Sequence, residues 1–175
     1  ALFAPNSVYA AVTDGEMRLQ VTGLTDLDLR ALTKFITNRD VIDLPLRISA
    51  NICANNPPMT DPALSPSWNG WGSDTSNSRY AAAGGVSAKD LPKLKLKWAY
   101  GLPGESQPRG QPAVVAGRLF VGNRAGALYA LDASSGCTYW SFLPRAGIRS
   151  ALTVGAVTLA DGSAGYAVYF IDIMA

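Results

Sequence analysis

The 175 residues carry 15 basic and 13 acidic side chains, for a formal net charge of +2, and 48% of them are hydrophobic. With the two signs interspersed there is no electrostatic footprint for nucleic acid or an anionic membrane, and no apolar run approaches the ~18 to 20 residues of a membrane-spanning helix. The sequence has no histidine, which excludes Ser-His and Cys-His nucleophile pairs, His-based zinc sites and a Cys-x-x-Cys-His haem attachment, so any chemistry must come from carboxylates, Lys, Tyr or a cofactor.

The opening Ala-Leu-Phe-Ala-Pro-Asn has neither an initiator Met nor the basic-then-apolar layout of a secretion signal, so the sequence is expected to be an internal piece, or a mature product, of a longer protein. Residues 1 to 11 suggest no element. The first clear one is a helix over residues 24 to 38. Thr25 can cap it with Asp28 three residues on, Leu24 and Leu29 stand at the two staple positions, and Asp26 and Asp28 face the positive end of the dipole. Leu29, Leu32 and Ile36, joined by Phe35, make an apolar stripe expected to be the buried face, and Asn38 suits a left-handed stop. Residues 39 to 56 have mixed, short-ranged patterning. The run Asn55-Asn-Pro-Pro-Met-Thr-Asp-Pro-Ala-Leu-Ser-Pro66 reads as an extended, semi-rigid connector, because each Pro fixes its own φ and biases its predecessor away from helix. A domain boundary is expected there, dividing the chain into residues 1–54, a linker 55–66, and residues 67–175.

Residues 67 to 83 place Trp68, Trp71, Arg79 and Tyr80 among Asn, Gly, Ser and Asp, either as a surface loop anchored by tryptophans or as a partial lid. Lys93 to Tyr100 alternates Lys with Leu and ends in Trp98, Ala99 and Tyr100, the pattern of a strand with one wet and one dry face. From Gly110 to Phe142 four short runs rich in Val, Leu, Tyr, Phe and Trp are separated by turn signals at Ala116-Gly117, Asn123 to Gly126 and Ala133 to Gly136. This predicts a four-stranded antiparallel meander, and because such a sheet alone exposes an apolar face, it calls for neighbours of its own kind. The pattern restarts at Arg149: Pro112-Ala-Val-Val aligns with Ala151-Leu-Thr-Val, and Leu119-Phe-Val with Val168-Tyr-Phe, with Ala160 to Gly165 as the hairpin turn. Trp98 and Trp140 lie 42 residues apart, within the range of propeller repeats, and are expected at equivalent places on outermost strands. The fold class is mainly β: a partial propeller of about one and a half blades, preceded by a small α segment.

The run Gly126-Ala-Leu-Tyr-Ala-Leu-Asp-Ala-Ser-Ser-Gly136, followed by Trp140, resembles the repeat of quinoprotein dehydrogenases, whose propellers bind pyrroloquinoline quinone (PQQ), and of their non-enzymatic relatives. Ser67-Trp-Asn-Gly-Trp-Gly-Ser-Asp, Leu94-Lys-Leu-Lys-Trp-Ala-Tyr, Gly136-Cys-Thr-Tyr-Trp-Ser-Phe and Ile148-Arg-Ser-Ala are similar to polyvinyl-alcohol dehydrogenases, in which a cytochrome c domain precedes the propeller. Upstream, Val12-Thr-Asp-Gly-Glu-Met17 and the helix after it resemble the last third of a class I cytochrome c. The match departs at Ile171, where the family calls for Gly. The resemblance implies a fragment of a periplasmic or secreted dehydrogenase that oxidises secondary alcohols with PQQ, calcium and haem c, and passes electrons to an acceptor. Residues 1–54 would then be the end of the cytochrome c-like domain and residues 67–175 the start of the propeller. The chain alone is expected to hold none of these cofactors, to be inactive, and to self-associate through unpaired edges at Lys93 to Tyr100 and Tyr166 to Ile171. The competing implication is a non-enzymatic propeller scaffold that binds proteins.

The same resemblance carries over a few site residues. Met17 stands where the family has the axial ligand to haem iron; the other reading is a thioether filling a gap against the helix. Arg109 and Arg149, at the entries to the two repeats, match places where the family turns a basic side chain toward the cofactor carboxylates; otherwise they are solvated loop arginines. No catalytic base can be named, since Asp132 and Asp172 sit in turns where a carboxylate suits backbone N–H groups. Cys53 and Cys137 are too far apart in sequence for a metal or redox motif. They are either buried free thiols or a disulfide between the connector and the outer strand, and the periplasmic address implied by the resemblance favours the bridge.

Overall fold

A computed structural model describes residues 5–13, 15, 17–41, 51–76, 78–81, 85–102, 110–124, 126–144 and 147–172. Helix α1 (Pro5–Thr13) starts at a Pro, whose fixed φ and missing N–H suit a first helical turn. It has no counterpart in the sequence expectation, because it is nine residues long and includes the strand formers Val8, Val12 and Thr13. Helix α2 (Asp26–Thr37) carries the expected cap: Thr25 Oγ1 accepts from the Asp28 N–H at 3.3 Å and the Asp28 carboxylate accepts from the Thr25 N–H at 2.9 Å. Asn38 stops it at a φ of 54°.

The buried face of α2 differs from the expected stripe. Leu29, Thr33 and Thr37 are buried, whereas Ile36 is 50% and Phe35 87% exposed. This row runs at i, i+4, i+8, and its small threonines permit close approach of the packed helix α1. Thr37 satisfies its hydroxyl by donating to the Thr33 carbonyl at 2.8 Å. Polar contacts join the helices as well. Tyr9 donates its hydroxyl to Asp26, Arg30 donates to the same carboxylate at 2.7 Å, and the Arg30 guanidinium lies 5.0 Å from the Tyr9 ring centre.

Strands β1 (Ala113–Val115), β2 (Arg118–Asn123), β3 (Ala127–Asp132) and β4 (Thr138–Phe142) form one antiparallel sheet in sequence order, with turns at the three expected places. The backbone requirement at these turns is a positive φ, met by Gly117 (73°), Gly126 (85°) and Gly136 (75°). Strands β5 (Thr153–Thr158) and β6 (Ala164–Tyr169) make the second hairpin, a separate two-stranded sheet. One face of the first sheet, through Ala113, Val115, Phe120, Leu128 and Ala130, packs with Ile148, Leu152 and Val154 of the second repeat. The other face, through Ala127, Tyr129 and Leu131, is covered by Trp98, Tyr100 and Leu102.

Lys93 to Tyr100 is not a strand. A short 3-10 helix (Ala88–Lys93) precedes it, and among the described residues none pairs with the backbone of 94–100. Alternation supplies a dry face, but a strand also needs a partner's N–H and C=O groups. Leu94 and Leu96 accordingly stay exposed, while Trp98 and Tyr100 pack on β3. Trp98 donates its indole N–H to the Ala133 carbonyl at 3.2 Å, and its ring lies over Gly136. Trp140 sits on the opposite face of the sheet, 5.9 Å from the Phe120 ring centre.

A Cβ on Gly136 would come within 2.6 Å of the Trp98 ring at a φ of 75°, so Gly136→Ala combines backbone strain with overpacking. The expected loss is about 2 to 4 kcal/mol in urea denaturation. Gly162→Ala, at a φ of 82° with open space around it, is the control, at about 1 to 2 kcal/mol. Equal losses would mean that the Trp98 contact contributes nothing.

Candidate functional site

The residues that organise the site come from the Pro-rich connector, which lies across one end of the first sheet. At the outer edge, Thr138 of β4 donates its N–H to the Asn51 carbonyl at 2.7 Å and accepts from the Cys53 N–H at 3.0 Å, so Ile52 stands beside Thr138 as a parallel bridge. Cys53 and Cys137 are joined by a disulfide with Cα atoms 5.1 Å apart, within the range such a bond requires. Arg118, 7% exposed at the start of β2, donates to the Pro57 carbonyl and holds its guanidinium 4.2 Å from the Tyr139 ring centre. Pro57 and Pro58 have no N–H to leave unpaired, which suits them to lie flat on a sheet end. Met59 packs into the core beside Phe120.

The strap reaches the other edge of the sheet at Trp68. Trp68 and Val114 of β1 exchange both backbone hydrogen bonds, each 2.8 Å. The next residue bonds to the second sheet: Asn69 Nδ2 donates to the Val154 carbonyl at 2.8 Å, and Asn69 Oδ1 accepts from the Val154 N–H at 2.7 Å. Val114 pairs with Leu119 and Val154 with Val168, so the two contacts fall on the first strands of the two repeats. An amide side chain carries the same N–H donor and C=O acceptor as a peptide group. Gly70 then turns at a φ of 111°, where a Cβ would lie 3.4 Å from Thr153 Oγ1. Trp71 emerges 43% exposed, with the Arg79 guanidinium 5.5 Å from its ring centre. The sequence singled out the tryptophans here and missed Asn69, whose signal was an amide between Trp68 and Gly70.

Arg149 is exposed at the entry to the second repeat. Its backbone is held by its neighbour: Ile148 is fully buried against Gly122, donates its N–H to the Asn123 carbonyl at 2.8 Å, and bridges to Asp172. Arg109 lies outside the described residues. Arg149 thus presents an exposed guanidinium four residues before β5, a group able to pair with carboxylates.

Asp132 is held by its turn. Oδ1 accepts from the Ser134 and Ser135 N–H groups at 2.9 and 2.7 Å and from both hydroxyls, and Oδ2 accepts from the Tyr139 hydroxyl at 2.7 Å. These bonds, those of Ser134 and Tyr139 first, hold its carboxyl far below the usual range, so it serves the turn rather than proton transfer. Met17 is 51% exposed. With no histidine in the sequence and both cysteines joined in the disulfide, the residues of this chain do not fit a covalently held haem. No His, Cys, Asp and Glu cluster suited to a metal occurs among the described residues.

A model of the PQQ family, described as the glucose/ethanol/alcohol dehydrogenase β-propeller domain, matches residues 68–164, more than half of the chain. The chain is 42% identical over 121 residues to a polyvinylalcohol dehydrogenase of Pseudomonas sp, covering 69% of this chain and 18% of that protein. It is 31% identical over 180 residues to the polyvinylalcohol dehydrogenase of Sphingopyxis sp. (strain 113P3), covering 94% of this chain and 27% of that protein. A shorter match, 31% over 78 residues and 45% of this chain, is to 10% of the dehydrogenase subunit of an alcohol dehydrogenase (quinone) of Gluconobacter oxydans (strain 621H). The chain thus spans 18% and 27% of the length of the two polyvinylalcohol dehydrogenases.

Because the folded-state pKa of Asp132 is depressed, its stabilisation is full above the unfolded carboxylate value of about 3.9 and fades as pH falls below it. Asp132→Asn should therefore lose roughly 1 to 2 kcal/mol at pH 7, by loss of charged hydrogen bonds. Denaturant titrations of both proteins at about pH 7, 5 and 3 should show that gap constant between the first two and shrinking at the third. A gap independent of pH would contradict the assignment.

Proposed function

The chain belongs to the PQQ β-propeller family of glucose, ethanol and alcohol dehydrogenases, and from that premise we propose that it is the junction and first blades of a quinone-dependent enzyme that oxidises secondary alcohols. The similarity to two polyvinylalcohol dehydrogenases supports an alcohol of the polyvinyl type. Residues 67–175 then begin the propeller, residues 55–66 are the linker, and residues 1–54 close an upstream cytochrome c-like domain that hands electrons on. The exposed Phe35 and Ile36 support further protein around that helix. The disulfide between Cys53 and Cys137 supports a periplasmic or secreted address, since such bonds persist in oxidising compartments.

The observation that carries this reading is Arg149 at the entry of the second first strand, inside the family match. Bound quinone supplies the two-electron acceptor that alcohol oxidation requires, with calcium as its counter-charge. Arg149 contributes a fixed cation for the quinone carboxylates: the buried Ile148 holds its backbone while its side chain stays free to bind. In the parent, Arg109 and Met17 take the roles of a second cation and of the axial haem ligand. Asp132, committed to its turn by five hydrogen bonds, is not assigned as the base, and no base is named for the proton of the alcohol.

In the complete protein, added PQQ with calcium should quench tryptophan fluorescence, and Arg149→Ala should weaken that binding about tenfold, as expected for loss of a charged hydrogen bond, with Arg149→Lys in between. Absence of quenching in the complete protein would remove the dehydrogenase reading. The isolated chain, with Phe142, Tyr169 and Ile171 exposed near the free edge of β6, should sediment as self-associated species. A monodisperse monomer would contradict that.

A further inference from the structure

Two consecutive residues, Trp68 and Asn69, bond the first strands of two repeats, the first by its backbone and the second by its side chain. In a propeller these first strands line the central axis. We infer that Asn69 is a positioning residue for the quinone site: it sets the axis-side edge of β5 against that of β1, and so fixes the strand whose entry carries Arg149. This rests on the PQQ reading above.

The connection is short and mostly buried. Arg149 lies five residues before Val154, at most about 18 Å of chain. Between them Leu152 is buried in the shared core, and Ser150 Oγ accepts from the Ile171 N–H at 2.9 Å. Asn69 bonds both peptide groups at Val154, so without it that edge of β5 loses a donor and an acceptor at once. The groups left behind would draw water into the seam between β1 and β5. A guanidinium clamp holds a carboxylate well only when its backbone is already in place, because otherwise binding must also order the strand. Gly70, at a φ of 111° beside Thr153, lets the chain leave this seam without pushing β5 away.

The test is a double-mutant cycle on PQQ affinity in the complete apo protein, read by tryptophan quenching with calcium present. Asn69→Ala should raise the Kd at least tenfold, and in that background Arg149→Ala should cost less than about threefold, because the clamp is already out of place. Asn69→Asp keeps the acceptor for the Val154 N–H and loses the donor; it should give the same coupling, and it serves if the alanine variant does not fold. Exposed Asn55→Ala should leave the affinity unchanged. Fully additive penalties, or a lowered melting temperature with unchanged affinity, would make Asn69 merely structural and overturn the inference. A parent that binds no PQQ would instead overturn the family-based reading, and this inference with it.

Discussion

A sheet of four strands has two open edges, and each edge presents backbone N–H and C=O groups that must find partners. In this chain one segment bonds to both, at one residue of each edge strand. Asn51 to Cys53 pairs with β4 at one edge, Trp68 pairs with β1 at the other, and the residues between them cross the same end of the sheet. The disulfide and the Arg118 contact to Pro57 fix the crossing, and Met59 fills the core beneath it. The chain is thus tied to the first sheet from Asn51 to Trp68.

This arrangement gives the second repeat a fixed starting point. The face of β1 to β3 packs against Leu152 and Val154, Gly122 makes room for Ile148, and Asn69 ties β5 to the strap that already holds β1. The four-stranded sheet and the β5–β6 hairpin are separate sheets, with no ladder between them among the described residues. Their registration depends on apolar burial, on the Ile148 N–H bond to the Asn123 carbonyl and on the Asn69 side-chain amide. Arg149 inherits its position from that seam.

Much of the fold was legible because its signals are local. The three turns of the first sheet need a positive φ within a few residues, and Gly117, Gly126 and Gly136 announce it. The reciprocal cap of Thr25 and Asp28 lies within one helical turn. What failed depends on partners distant in sequence. Thr33 and Thr37 are buried because α1 is present, which no property of α2 reveals. Lys93 to Tyr100 alternates like a strand, yet a ladder belongs to two strands, and only Trp98 and Tyr100 find cover. At the seam, the tryptophans of residues 67 to 83 drew attention to the stretch, but Asn69 acts on Val154, 85 residues away, and an isolated Asn in a polar loop does not announce that.

The strap's hold on the two edge strands of the first blade is read by residue-resolved hydrogen exchange on the Val114 and Thr138 amides in the complete protein. Both should exchange as slowly as the interior amides of β2 and β3, since they are bonded to the strap at 2.8 and 2.7 Å. Exchange of either amide at the rate of an open sheet edge would contradict that hold.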